Sequence, residues 1–168
     1  MPQVTLTRRY RFSASHRLHT PLLDEARNFE VYGKCNNPHG HGHNYLLEVA
    51  VAGAPDEVTG RLMPLRELDR FVERVILEAV DYKDLNTQVE EFAALTPILV
   101  PTTENLAAVV AARLAREWPA AFPASAARLE MLRIHETGRN IFEVRVGPPE
   151  RSEQLAQTSG EPPVKTCN

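Results

Sequence analysis

The chain has 168 residues, 43% of them hydrophobic and 24% charged, with a formal net charge of -3. That is enough for one domain with its own core. The longest basic run is Arg8-Arg9, which excludes nucleic acid and membrane surfaces as main partners. No apolar run approaches the ~20 residues that span a bilayer. Met1-Pro2-Gln3-Val4 lacks the apolar segment of a signal peptide. The two cysteines, Cys35 and Cys167, suit a reducing cytoplasm better than a disulfide framework.

In chain order, Val4, Leu6, Arg8, Tyr10 and Phe12 share one parity, which predicts a strand over about Val4 to Ser13. Pro21 to Gly33 is charged and irregular and reads as a loop. Tyr45 to Gly53 reads as a second strand, with a histidine motif on the way into it. Leu65, Leu68, Val72, Val75, Ile76 and Ala79 predict one helical face between Pro64 and Val80. A second helix starts near Thr102-Thr103-Glu104, where a threonine hydroxyl can cap it, and runs to about Trp118. Its apolar face is Leu106, Val109, Val110 and Leu114. Leu129 to Glu136 and Asn140 to Val146 read as two further strands joined by a turn at Thr137-Gly138-Arg139. Helices grouped between strand pairs argue for antiparallel α+β. Residues 1–147 therefore read as one domain. Residues 148–168, rich in Pro, Ser, Gln and Glu, read as a disordered tail.

The chemistry concentrates in Cys35-Asn36-Asn37-Pro38-His39-Gly40-His41-Gly42-His43-Asn44-Tyr45. A thiol and three imidazoles fall within nine positions. On a strand, residues two apart share a face, so His41 and His43 can aim at one point. Gly40 and Gly42 permit close backbone approach. With His16 at the end of the first strand they form a three-histidine set. Such a set leaves a fourth tetrahedral position open, the layout of catalytic zinc. His39 and His41 have the same spacing, so spacing does not choose between the two pairs. His19 reads as a loop residue. Cys35 reads as a fourth ligand, a small buried hydrophobe or a reactive thiolate.

Four segments, Phe12-Ser13-Ala14-Ser15-His16-Arg17-Leu18, Gly33 through Tyr45, Thr102-Thr103-Glu104-Asn105 and His135-Glu136-Thr137, together resemble the 6-pyruvoyl-tetrahydropterin synthase family. The resemblance covers about Arg11 to Val146. It implies a T-fold, an antiparallel four-stranded sheet with two helices on one face. It also implies a homo-oligomer, typically a hexamer built as a dimer of trimers, with active sites at the interfaces. The implied substrate is 7,8-dihydroneopterin triphosphate and the implied cofactor is Zn2+ on His16, His41 and His43. Cys35 matches the catalytic proton acceptor, and Glu136 the acid that anchors the pterin. Thr102 and Thr103 match pocket-lining positions. Lys34, Arg17 and Arg27 are candidates for the triphosphate by position alone.

One departure stands out. The family's Asp-His relay pair is here Asp81-Tyr82. A phenol with a reference pKa near ~10 is a poorer relay at neutral pH than an imidazole near ~6.5. Tyr82 activated by its surroundings, or substitution by His135, would keep the chemistry. Two other activities compete with the first: a 6-carboxy-tetrahydropterin synthase of the queuosine and deazapurine branch, and a zinc- and pterin-binding protein without turnover. Five residues separate Cys35 from His41, a spacing that resembles the pyruvoyl-forming group.

Overall fold

Alternating apolar residues pair the first two strands over their whole length. In the computed structural model, which describes residues 2–123 and 125–147, β1 (Val4–His16) runs antiparallel to β2 (His41–Gly53). Their register extends from Val4 opposite Gly53 to His16 opposite His41. β1 thus carries on three residues past the predicted Ser13, and β2 begins four residues before Tyr45. The histidine motif therefore forms the strand rather than leading into it. Later in the chain β4 (Arg128–His135) pairs antiparallel with β2, and β5 (Ile141–Arg145) pairs antiparallel with β4. The four expected antiparallel strands are joined by a fifth, the two-residue β3 (Lys83–Asp84), parallel to β1 at the sheet edge. The order is β3-β1-β2-β4-β5. Two residues are too few to leave a period-two signal.

The loop expected between Pro21 and Gly33 contains a helix, α1 (Glu25–Tyr32). Asp24 accepts a hydrogen bond from the Arg27 amide at its start, and Gly33 ends it at φ 53. Both end signals stand in the sequence. The helix buries only Asn28, so no apolar periodicity marks it. A 3-10 turn, Gly33–Asn36, follows and carries Cys35.

The helix expected from Pro64 to Val80 forms as α2 (Leu65–Val72), a π-type turn at Glu73–Leu77 and a short α3 (Glu78–Val80). The wide turn shifts the buried stripe. Leu68, Phe71, Val72, Val75, Ile76 and Val80 face inward, Ala79 is half-buried, and Leu65 is 42% exposed. Short helices α4 (Leu85–Gln88) and α5 (Glu90–Ala93) lead to α6 (Thr103–Ala121). Thr102 caps α6 by accepting from the Asn105 amide, and Leu106, Val109, Val110 and Leu114 are buried as expected. The helix runs three residues past Trp118 in spite of Pro119. Its end is held by packed rings, with Phe122 4.5 Å from Trp118 and 5.2 Å from Phe71.

α2, its π-type turn and α6 pack on one sheet face, against Leu47, Val49, Val51, Leu132 and Ile134. Each fully buried side chain of this kind contributes roughly 1.5–3 kcal/mol. The other face carries charges, such as Arg9 2.9 Å from Glu48 and Arg133 2.7 Å from Glu143. Among the described residues no helix is long and apolar enough to cross a membrane. The predicted tail, 148–168, lies outside the described residues.

Candidate metal and pterin site

The site grows out of strand alternation. Phe12, Ala14 and His16 of β1 turn toward the helix-covered face, as do Tyr45, Leu47 and Val49 of β2. His41 and His43 continue that parity. The register sets His16 opposite His41 and Ala14 opposite His43, so three imidazoles meet at one corner of the sheet. Glycine is demanded at position 40, and position 42 leaves little room for a side chain. A Cβ on Gly40, at φ 68, would stand 3.0 Å from the His16 carbonyl oxygen, and one on Gly42 3.3 Å from that of Ala14.

His16 Nε2 lies 3.2 Å from His41 Nε2. One nitrogen from each of His16, His41 and His43 falls within a 4.8 Å set. His16 is 1% exposed, and its Nδ1 lies 2.7 Å from the Pro101 carbonyl oxygen. A carbonyl only accepts, so Nδ1 carries the proton and Nε2 keeps its lone pair for the cluster. His41 Nδ1 and His43 Nε2 are buried without a hydrogen-bond partner. Burial, with the mutual repulsion of the rings, holds His16 and His41 below the usual histidine pKa. Neutral imidazoles with lone pairs converging on one point are what a divalent metal requires. The residues present fit the ion. His39 stays exposed on the preceding turn, so it is the later His-x-His pair that joins His16. His19 sits 3.0 Å from Asn36 Oδ1 in the neighbouring loop.

Glu136 follows β4 in the parity of Leu132 and Ile134, and its carboxylate reaches the same corner. Its Oε1 accepts from the Thr103 hydroxyl at 2.5 Å and its Oε2 from Asn140 Nδ2 at 3.1 Å. Oε1 is 3.9 Å from His43 Nε2. Burial would raise its pKa, but the two donors outweigh burial and the carboxyl ends below its ordinary value. Thr103 is buried at the first turn of α6, while Thr102 spends its hydroxyl on the cap. Cys35 is half-buried, and its carbonyl accepts from the Leu18 amide at 2.9 Å. Burial, and then the Glu136 charge, push its thiol pKa up. A nearby dication would act the other way.

Asp81 and Tyr82 are not brought to this corner. The Ser13 amide donates to Asp81 Oδ1 at 2.8 Å, and the Tyr82 amide donates to the Ser13 carbonyl at 2.6 Å. The pair is thereby clasped to the edge of β1. Tyr82 sits at φ 55 and is 85% exposed, beside Ser13 and Asn44, which alternate away from the histidine face. His135 is also turned away. Its Nε2 lies 3.5 Å from Glu48 Oε1 on the opposite sheet face, so it does not substitute for a relay histidine in the pocket. Arg17 Nε donates to the Asn36 carbonyl, Arg27 pairs with Glu30, and Lys34 is exposed. Sequence reasoning missed Pro101 and Asn140, because a carbonyl and a turn asparagine carry no motif.

A family model described as 6-pyruvoyl tetrahydropterin synthase matches residues 5–146. The 6-pyruvoyl tetrahydrobiopterin synthase of Poecilia reticulata is 46% identical over 140 residues, 83% of this chain and 88% of that one. The human protein of that name is 39% identical over 139 residues, again 83% of this chain and 89% of its own. The solved structure of Caenorhabditis elegans 6-pyruvoyl tetrahydropterin synthase superposes with a TM-score of 0.74 at 37% identity, covering 86% of this chain and 96% of that one.

Proposed function

The chain belongs to the 6-pyruvoyl tetrahydropterin synthase family, and we propose that it is a zinc-dependent lyase that converts 7,8-dihydroneopterin triphosphate to 6-pyruvoyl-tetrahydropterin with loss of triphosphate. The observation that carries this reading is the convergence of three imidazoles and an acceptor carboxylate on one corner of the sheet, with Cys35 near enough for the Glu136 charge to act on its thiol.

In this reading His16, His41 and His43 hold the zinc ion, which when bound supplies a Lewis acid that polarises the substrate's side-chain oxygens. Glu136 receives the pterin. A carboxylate offers about four lone-pair sites, and Thr103 and Asn140 use two of them. The remainder suits the two parallel N–H donors of the ring's guanidine-like edge. Cys35 removes a proton from the side chain and returns it during the rearrangement. The reduced ring gains the electrons that the side-chain carbons lose, and the triphosphate leaves with its C–O pair, so no outside oxidant or reductant enters. Lys34, Arg17 and Arg27 remain the nearby basic side chains for the triphosphate.

The relay positions Asp81 and Tyr82 then serve the site of another copy of the chain, in a homohexamer of two trimers with interfacial active sites. The exposure of Tyr82 at a sheet edge supports this. Residues 1–147 form the pterin synthase domain, and 148–168 a tail. The free Cys35 thiol favours a reducing cytoplasm.

The test is incubation of zinc-loaded protein with 7,8-dihydroneopterin triphosphate, with products read by mass spectrometry. A 6-pyruvoyl product is expected. A 6-carboxy product with acetaldehyde would move the protein to the deazapurine branch. Bound pterin without product would make it a binding protein.

A further inference from the structure

The Cys35 thiol rides on a segment with no buried apolar side chain. Among residues 21–40 only Asn28 and Asn36 are buried. The excursion from β1 to β2 is therefore located by hydrogen bonds rather than by core packing. Those bonds converge on residues 17–20. The Leu18 amide donates to the Cys35 carbonyl at 2.9 Å. Arg17 Nε donates to the Asn36 carbonyl at 3.1 Å. His19 Nδ1 lies 3.0 Å from Asn36 Oδ1, an oxygen that only accepts, so the imidazole donates. Asn28 of α1 clasps Thr20, its Oδ1 accepting from the Thr20 amide and its Nδ2 donating to the Thr20 carbonyl, both at 2.9 Å.

Asn86 grips the start of the same stretch from outside the excursion. Its Oδ1 accepts from the Arg17 amide at 2.7 Å, and its Nδ2 donates to the Arg17 carbonyl at 2.9 Å. A side-chain amide offers a donor and an acceptor in one plane, so Asn86 pairs with Arg17 as a neighbouring strand residue would. Its own place is fixed by Leu85, which is fully buried in the core.

We propose that Asn86 is a positioning residue that sets the Cys35 thiol against the three imidazoles. It touches no reacting atom and acts through the 17–18 main chain. His16 precedes Arg17 but is fixed separately, by its register opposite His41 and by the Pro101 carbonyl. Loss of the Asn86 clasp thus frees the thiol turn while the imidazole set stays in place. A general acid or base must lie within hydrogen-bond reach of the proton it moves. A displacement of about 1 Å costs on the order of 10²-fold in rate.

The inference rests on the reading of Cys35 as the group that moves the proton. Its test uses the zinc-loaded full chain in a Cys167→Ser background, so that Cys35 alone reports alkylation by iodoacetamide. Asn86→Ala should lower kcat with 7,8-dihydroneopterin triphosphate about 10–100-fold. It should leave zinc content and the affinity for neopterin, read by its fluorescence, within about twofold, and speed Cys35 alkylation about fivefold or more as the turn opens. Combined with Cys35→Ser, Asn86→Ala should change the residual rate by less than about twofold, because the group it positions is gone. Asn86→Asp keeps the bond from the Arg17 amide and loses the one to the carbonyl. It should show the same pattern at smaller size, and it carries the test if Asn86→Ala does not fold. Loss of zinc in step with rate, or equal rate losses with and without the thiol, would make Asn86 merely structural and overturn the inference. If wild type turns over and Asn86→Ala changes neither kcat nor alkylation, the inference alone falls. If wild type makes no product while Asn86→Ala still speeds alkylation, the lyase reading falls and the placement of the thiol by Asn86 stands.

Discussion

His16 Nε2 and His41 Nε2 face each other at 3.2 Å across the β1–β2 ladder. Two imidazole nitrogens at this distance either share a proton or share a cation. Pro101 already accepts at His16 Nδ1, and His41 Nδ1 is buried without a partner. With both rings neutral, His41 could carry its proton on Nε2 and donate to His16 Nε2, but its buried Nδ1 would then be an acceptor with no donor. The alternative tautomer leaves both Nε2 lone pairs free, and with His43 these residues would hold a divalent cation.

Chelation should therefore destabilise the protein in proportion to its zinc occupancy. A metal present at a hundred times its dissociation constant adds about 2.7 kcal/mol to the folded state. Dialysis against a chelator should lower the melting temperature, and added zinc should restore it. His41→Ala should reduce bound zinc, measured by atomic emission, from one ion per chain to near zero and remove the response to chelator. An unchanged zinc content in His41→Ala would leave the cluster without a metal role.

Cys35→Ser separates chemistry from binding. The thiol lies on a 3-10 turn outside the imidazole set. Its loss should leave zinc content and neopterin affinity within about twofold, while kcat falls by about 10²–10⁴, the usual range for a general acid or base. A parallel loss of zinc would instead make Cys35 a fourth ligand.

Much of this site is legible in the sequence because parity is legible. The alternation through Phe12 carries to His16, and that through Val49 and Tyr45 carries back to His43 and His41. The choice between His39 and His41 is not legible in spacing alone and comes from the resemblance, since physically it depends on which residue stands opposite His16 in the register. α1 is hidden because its one buried residue, Asn28, is polar. The π-type turn at Glu73–Leu77 is hidden because a one-residue slip in helical phase leaves the apolar count unchanged.

Tyr82 tests the relay. Its backbone is held at φ 55 by the Ser13 clasp, a conformation that is uncommon outside glycine and asparagine. Tyr82→His keeps the backbone demand and supplies a group that titrates near neutrality. If the phenol limits turnover, kcat should rise at least tenfold with KM unchanged. If kcat stays within twofold, Tyr82 is not in the rate-limiting proton transfer. Asp81→Ala removes the acceptor of the Ser13 amide and should destabilise the fold by about 1 kcal/mol, measured by urea unfolding, whatever its effect on rate.

The triad Arg8–Asp69–Tyr10 ties β1 to α2 and contributes to both pH limits of the fold. Arg8 donates to Asp69 Oδ1 at 3.0 Å and to Oδ2 at 2.6 Å, and the Tyr10 hydroxyl donates to Oδ1 at 2.9 Å. Asp69 is held below its ordinary pKa by the Arg8 hydrogen bond, against some burial. Its contribution is present above the unfolded value near ~3.9 and is lost as pH falls through the lower folded value. Tyr10 is shifted up, first by burial and then by the bond to Asp69. Its contribution is complete below the unfolded value near ~10 and is lost as pH rises toward the higher folded one. The melting temperature should thus hold steady between about pH 7 and 8 and fall on both sides, on the acid side first as the buried His16 and His41, held below the histidine value of ~6.5, disfavour protonation, and then through Asp69. Tyr10→Phe should flatten the alkaline limb between pH 9.5 and 11.5, roughly the span around the tyrosine value, and leave most of the acid limb in place. A Tyr10→Phe protein with an unchanged alkaline limb would assign that limb to Tyr45 instead, the other buried phenol with a raised pKa.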